Sequence, residues 1–378
     1  MKKFILLVLL AAASSRADSS LLDTLTNPVS IVFNNAYKGL YVDNEKIGAA
    51  DPRNSDKYLF AFIASAKKTL DVCVYDIEDP GAVVALLDAK SRGVRVRVIS
   101  EYDNTLDKTH GNVPQESYEH LRAAGIAVAA EKKSGLMHCK FAIADGTAVW
   151  FASMNWTHNA LYRDNNNNVF VRSPEVAVIF QQEFDELFDN HKYNRGAAGT
   201  KKPVRVGDAE ISIRFSPEGG VQASLLDALQ HATNSIRFMI FTFTDRDIGN
   251  LMAKKKHAGL TVEGVFDECQ IDRFSEFPWL GRQGVKEWHD GNQALLHHKV
   301  MILDDETVCC GSYNFSRSAE RSNNEVSVII RSRRIAAEYR AEFDRLVFAA
   351  EHNPPLPPYD HPACEHGSAH DAARPVPR

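Results

Sequence analysis

The sequence predicts a layered α/β protein built from two tandem copies of one unit, and three observations carry that prediction. First, the chain repeats itself: Ala66–Tyr75 sets beside Ala232–Phe241 at an offset of 166, which continues through Gly93 with Gly259 and Glu101 with Asp267. Second, the offset falls to 159 further on, where His138 meets His297, Asn155 meets Asn314 and Phe184 meets Phe343, as a loop seven residues shorter in the second copy requires. Third, each copy alternates short β-branched or aromatic runs with helical stretches, the pattern of parallel strands joined by crossover helices.

In chain order, Leu70–Tyr75 and Ile236–Phe243 are apolar runs bounded by polar residues and read as buried strands. Asp79–Arg92 and Asp245–Ala258 read as crossover helices, each closed by a glycine. Val94–Ile99 and Leu260–Phe266 are the next strands, and Leu136–Asp145 and Leu295–Asp304 read as further strands. Val176–Phe188 and Ile335–Phe348 carry amphipathic helical spacing and close each copy. The expected organisation is a first half over 18–189, a linker at 190–207 rich in Gly, Lys and Arg, a second half over 208–350, and a Pro-, His- and Ala-rich disordered tail over 351–378.

Residues 1–17 read as a signal peptide. Lys2 and Lys3 precede an apolar run from Phe4 to Ala13, and Ser15-Arg16-Ala17 offers a cleavage site. The expected location is therefore periplasmic or extracellular. Beyond the first twenty residues, no apolar run has membrane-spanning length, which excludes a polytopic membrane protein.

The chain has 378 residues, with 44 Lys+Arg against 49 Asp+Glu and a formal charge of −5. This balance argues against a strongly basic nucleic-acid-binding protein and leaves room for a local basic cleft. None of the six cysteines forms a CxxC pair, so a structural zinc site is disfavoured. Two readings of them stand: small core residues at Cys73, Cys139 and one of Cys309 and Cys310, or a disulfide between one of that adjacent pair and Cys269.

The residues that repeat are the reactive ones. Leu136–Asp145 and Leu295–Asp304 both obey H-x-K-x4-D, placing His138 with Lys140 and His297 with Lys299 on one strand face. Fifteen residues after each histidine stands a serine, Ser153 or Ser312, followed by Asn155 or Asn314. Two such patterns in register within a repeat are a far more specific signal than either alone.

On these motifs the chain resembles the phospholipase D superfamily, whose signature is a pair of HKD motifs, over roughly Pro52 to Val347. Ser153-Met154-Asn155-Trp156-Thr157, with His138–Lys140, looks most like the cardiolipin hydrolase and PLD-type nuclease branch. The resemblance implies two α/β sandwich halves about a pseudo-two-fold axis, with one active site at their interface and both motifs on one chain. It also implies that an N-terminal histidine is the nucleophile.

Phosphodiester chemistry asks for the same side chains. Lys140, Lys299, Asn155 and Asn314 can supply fixed donors and positive charge without a metal or cofactor. One imidazole attacks phosphorus while the other protonates the leaving alcohol and then activates water. Ser153 and Ser312 would shape the pocket or donate hydrogen bonds, and Asp145 and Asp304 would hold loops. Glu325 matches the family carboxylate that bonds an active-site histidine, with Asn168 as its neutral counterpart. If Glu325 supports His297, then His297 suits the acid and His138 the nucleophile; contact with the opposite histidine is the alternative.

Elsewhere the bland readings prevail. His298 lies on the opposite strand face and reads as structural. His110, His120, His257 and His289 read as surface residues, and Lys254–His257 as a helix-end charge run. Phe274, Phe277, Trp279 and Trp288 suit loop packing, pocket walls, base stacking or lipid contact. The expected function is hydrolysis of phospholipid by a monomer touching membranes peripherally. A metal-independent nuclease and an inactive phosphate-binding protein are the alternatives.

Overall fold

The computed structural model describes residues 27–34, 50–107, 110, 112–130, 132–189, 199–292 and 294–352. The first half runs β1 (Val29–Phe33), α1 (Ser55–Ser65), β2 (Thr69–Val74), α2 (Pro80–Ser91), β3 (Arg95–Ile99), the small pair β4 (Leu106–Asp107) and β5 (Val113–Pro114), and α3 (Glu116–Ala123). It continues through β6 (Ala127–Ala129), β7 (Lys140–Ala144), β8 (Ala148–Ala152), α4 (His158–Tyr162), β9 (Asn167–Arg172) and α5 (Pro174–Phe188). The second half opens with β10 (Val204–Val206), β11 (Ala209–Ser216), α6 (Val221–His231), β12 (Ser235–Ile240), α7 (Arg246–His257), β13 (Thr261–Phe266) and α8 (Phe277–Arg282). It closes with β14 (Lys286–His289), β15 (Lys299–Leu303), β16 (Thr307–Gly311), α9 (Arg317–Arg321), β17 (Glu325–Arg331) and α10 (Arg333–His352).

Each half is a mixed sheet, ordered β1-β9-β8-β7-β2-β3-β6 in the first and β10-β11-β17-β16-β15-β12-β13-β14 in the second. The strands joined by α2 and by α7 pair in parallel, Leu70 opposite Val96 and Ile236 opposite Val262, whereas β7 and β15 run antiparallel to β2 and β12. Asp79 and Asp245 accept amide hydrogens from the first turns of their helices. Gly93 and Gly259 terminate them at φ of 86° and 98°, backbone that only glycine adopts without strain.

Strand alternation builds three layers of core. Phe141 and Ile143 face a shared central core while Ala142 and Ala144 face the outer helices; Val300 and Ile302 repeat this against Met301 and Leu303. The central core takes its helical side from α5 and α10, so the two sheets sandwich one apolar layer. The buried residues of α5 are Val176, Ala177, Phe180, Glu183, Phe184 and Leu187. Those of α10 are Ile335, Ala336, Tyr339, Glu342, Phe343 and Leu346, position for position at the 159 offset.

Several expectations are corrected. The HKD strands begin at the lysines, not at Leu136 and Leu295, because Met137 and Leu296 bridge to Asn324 and Asn165 of the opposite half. The expected linker ends in β10, which pairs Val204 with Ile211, so the second half starts before residue 208. Helix α10 passes the expected boundary at 350. Cys309 and Cys310 are both free and face opposite cores, so neither pairs with Cys269, which is disulfide-bonded. The expected signal peptide, residues 190–198 of the expected linker, and the expected tail from residue 353, with Cys364, lie outside the described residues. Among the described residues no helix is long and apolar enough to cross a membrane.

Candidate active site

The site forms where the segments leading into β7 and β15 meet the opposite half. His138 N donates to Asn324 O at 2.9 Å, and His297 N donates to Asn165 O at 2.9 Å. One residue earlier, Met137 N donates to Glu101 Oε2 and Leu296 N to Asp267 Oδ2, each at 2.7 Å. Leu136 N and Leu295 N donate to Asn323 Oδ1 and Asp164 Oδ1 across the interface, at 3.1 and 3.2 Å. Each motif histidine is thus held by the other half's backbone, and the residue before it by an acidic side chain of its own half.

The imidazoles are fixed at Nδ1 by the opposite half. His138 Nδ1 lies 2.7 Å from Glu325 Oε2, which also accepts from Ser312 Oγ at 2.6 Å, while Asn323 Nδ2 donates to Oε1 at 3.2 Å. His297 Nδ1 lies 3.0 Å from Asn166 Oδ1, which also accepts from Ser153 Oγ at 2.8 Å. Asn166 Nδ2 donates to Ala160 O at 3.1 Å, so its oxygen is the atom left for the histidine. In both rings Nδ1 carries the proton and Nε2 keeps its lone pair.

Aromatic rings set the other walls. Tyr75 stands edge-on to His138 at 5.0 Å and Phe241 to His297 at 4.9 Å. Lys140 Nζ sits 4.9 Å above the Tyr75 ring and donates to His138 O; Lys299 Nζ sits 4.6 Å above Phe241 and donates to His297 O. Burial pushes Lys140 down to about 8, against the pull of Glu325. Burial and then Lys140 push Lys299 well down, opposed by Glu325, Asp267 and Asp164. Burial and the lysines depress both histidines, but Glu325 offsets this for His138 alone, so His297 falls further. The cluster is short of negative charge, which suits it to an anion.

The sequence motifs therefore come together: His138, Lys140, Glu325 and Ser312 share one hydrogen-bond network and His297, Lys299 and Ser153 another, close enough for Lys140 and His138 to act electrostatically on His297. Asn155 and Asn314 occupy equivalent places next to Tyr75-Asp76 and Phe241-Thr242, and each has a buried Oδ1 with no hydrogen-bond partner. Asp145 and Asp304 stand apart in the β7–β8 and β15–β16 turns at positive φ, each accepting three backbone amides from the strand-entry loops at 67–69 and 233–235.

Two assignments change. Glu325 supports His138 rather than His297, which removes the premise on which His297 was to be the acid. The neutral counterpart of Glu325 is Asn166, not Asn168; Asn168 Oδ1 accepts from Trp150 Nε1 at 3.0 Å within the first half. The 159 offset itself places Asn166 opposite Glu325. Tyr75 and Phe241 were visible only as strand residues, and nothing in their spacing marked them as ring walls. Phe277, Trp279 and Trp288 pack against the cores, and Phe274 is exposed.

The two half-sheets, the HKD pair and the cross-half contacts define a duplicated phospholipase D-like fold. The family described as "Cardiolipin synthase, PLD-like domain" matches residues 59–188 and 225–347, and the chain belongs to this family of the phospholipase D superfamily. It is 39% identical over 131 residues to a mitochondrial cardiolipin hydrolase of Chlamydomonas reinhardtii, a match covering 35% of this chain and 56% of that protein. It is 26% identical over 132 residues to a phospholipase D of Rickettsia felis, covering 35% of this chain and 66% of the relative. The chain thus spans only part of the length of these relatives. The solved phosphatidylserine synthase of Haemophilus influenzae shares the fold, with a TM-score of 0.60 at 13% identity over 91% of this chain and 92% of that one.

Proposed function

We propose that the protein is an exported phosphodiesterase of the phospholipase D type, hydrolysing phospholipids through a phosphohistidine on His138. The observation that carries this reading is the pair of imidazoles, each gripped at Nδ1 from the opposite half, with a buried lysine bonded to each histidine's backbone carbonyl. The family match and the cardiolipin hydrolase and phospholipase D relatives support a phosphodiester substrate.

In this mechanism His138 Nε2 attacks phosphorus. The bond to the leaving oxygen breaks, and that oxygen takes a proton from Nε2 of protonated His297. Neutral His297 then removes a proton from water, the resulting hydroxide attacks phosphorus, and the P–N bond breaks to restore His138. Glu325 makes His138 the better nucleophile because a carboxylate stabilises the positive imidazole of the phosphoenzyme. Asn166 offers His297 only an amide, so protonated His297 is the stronger acid. The anionic substrate offsets the lysines and permits that protonation. Lys140 and Lys299 stabilise the phosphorane-like charge without a metal.

Export is supported by the Lys2–Ala17 leader pattern and by the disulfide at Cys269, a bond that persists in oxidising compartments. Incubating the purified chain in EDTA with anionic phospholipid vesicles, DNA, RNA and an aryl phosphodiester tests the function. Phosphatidic acid release is expected. Nicked nucleic acid without lipid turnover would overturn the lipid assignment, and inactivity on all four would overturn catalysis.

A further inference from the structure

The run Asn165–Asn168 does more than supply Asn166. Along this extended segment, alternate residues turn to opposite sides. Asn166 reaches His297, while Asn165 and Asn167 turn to helix α10. Arg345 Nη2 donates to Asn165 Oδ1 at 3.1 Å. Asn167 Nδ2 donates to Tyr339 OH at 3.0 Å, and Asn167 Oδ1 lies 3.1 Å from His298 Nδ1.

Behind these contacts is a buried ionic unit. His298 Nε2 lies 3.2 Å from Glu342 Oε1, and Arg345 clamps Glu342 with both arms of its fork, at 2.7 and 2.6 Å. Burial would raise the Glu342 carboxyl, but Arg345 and His298 hold it at about 2. His298 and Glu342 are almost wholly buried.

The first motif lacks this arrangement. At the equivalent places stand Cys139 for His298, Val326 for Asn167, Glu183 for Glu342 and Glu186 for Arg345. Cys139 and Val326 belong to the apolar central core. There the positioning residue is Glu325, whose charge-assisted bonds to His138 and Ser312 fix it directly. Asn166, a neutral amide, holds its histidine through weaker bonds. A weaker hold calls for a stiffer frame.

We propose that the His298–Glu342–Arg345 unit is a positioning device for His297, anchoring Asn165 and Asn167 so that Asn166 aims His297 Nε2 at the leaving oxygen. This rests on the reading of His297 as the general acid. A misplacement of about 1 Å at such a group lowers the rate by about 100-fold. The loss falls where acid catalysis is needed and spares substrates whose leaving group departs unprotonated.

The test measures single-turnover release from two diesters, one with a 4-nitrophenyl leaving group and one with an alkyl alcohol. Arg345→Met and Glu342→Gln are compared with wild type and with His297→Asn, and thermal melting monitors folding. The expected result is a loss of roughly 10–100-fold on the alkyl diester and less than about threefold on the aryl diester, the His297→Asn pattern in milder form. Arg345→Lys, which keeps the charge but not the fork, is expected to restore part of the alkyl rate and carries the comparison if the other variants fail to fold. Equal losses on both diesters, or no loss, in a folded variant would overturn the positioning role. If His297→Asn itself shows no dependence on the leaving group, the acid assignment fails, and this inference with it.

Discussion

The two halves of this protein share a chain path and differ in what stands behind each catalytic-motif histidine. The first motif's His138 meets a carboxylate, Glu325; the second motif's His297 meets an amide, Asn166, at nearly the same distance. Beneath them the contrast reverses. Cys139 and Val326, both in the apolar central core, take these places in the first motif, and a buried His298–Glu342–Arg345 network underlies the second. The repeat supplies two equivalent histidine positions, and a few differing buried side chains make their surroundings unequal. The difference teaches that a pseudo-symmetric fold can run a two-role reaction by changing partners rather than catalytic residues.

The comparison breaks most sharply at Glu325. Glu325→Gln is expected to lower turnover by on the order of 10²–10⁴-fold, because an amide cannot stabilise the charged imidazole and can present the wrong tautomer. Asn166→Leu is expected to do less harm with an aryl diester than with an alkyl one. A Glu325→Gln enzyme with wild-type kcat would remove the distinction between the halves.

Replacing a buried lysine trades function for stability. Lys140 is fully buried and its charged form is disfavoured by burial. Lys140→Met is expected to abolish activity and to stabilise the fold by about 1–3 kcal/mol, read by denaturant unfolding. A destabilised Lys140→Met would mean that the cluster holds the halves together rather than opposing their union.

The pH dependence sharpens the same contrast. The His138 nucleophile must be neutral and its pKa lies below 6.5, while His297 must be protonated and loses its proton at still lower pH in the free protein. A peak of kcat/KM is therefore expected below pH 6.5, with loss of the Lys140 charge near pH 8 as a second alkaline step. For stability the sign follows from the lowered histidine values. At His138 and His297 the unfolded chain binds more protons between the folded pKa and 6.5, so their contribution to stability falls as pH drops through that window, whereas Asp76, raised to about 7, and Asp164, raised to about 6, contribute with the opposite sign. Melting of wild type against His297→Asn across pH 4–8 isolates the histidine contribution and checks its sign (about four units, enough to bracket the unfolded value). The smallest effect is expected at Phe274, which is 56% exposed: Phe274→Ser should leave aryl diester turnover unchanged, within about twofold, and any vesicle-specific loss would place the loop at the lipid surface.

The halves were legible because the repeat preserves every buried position of α5 and α10 at one offset, glutamates included. The HKD lysines, histidines, serines and asparagines were legible for the same reason. What the sequence hid depends on how the halves face each other. Glu325 and His138 are 187 residues apart, and only the interface decides that Glu325 crosses to the first motif. The histidines lie ahead of their strands because Met137 and Leu296 bridge to the opposite half, a contact no local strand pattern records. Asn166 was within reach, since the offset that pairs His138 with His297 also pairs it with Glu325. A run of four asparagines invited a slip of two places.

The central claim is that His138 takes the phosphoryl group and His297 moves the protons. Rapid quenching of an aryl phosphodiester reaction with His138→Asn and His297→Asn, followed by intact-mass measurement of the protein, addresses it directly. A phosphoryl adduct on His138 that accumulates in His297→Asn and is absent from His138→Asn is the expected result. An adduct retained in His138→Asn and lost in His297→Asn would reverse the roles of the two halves.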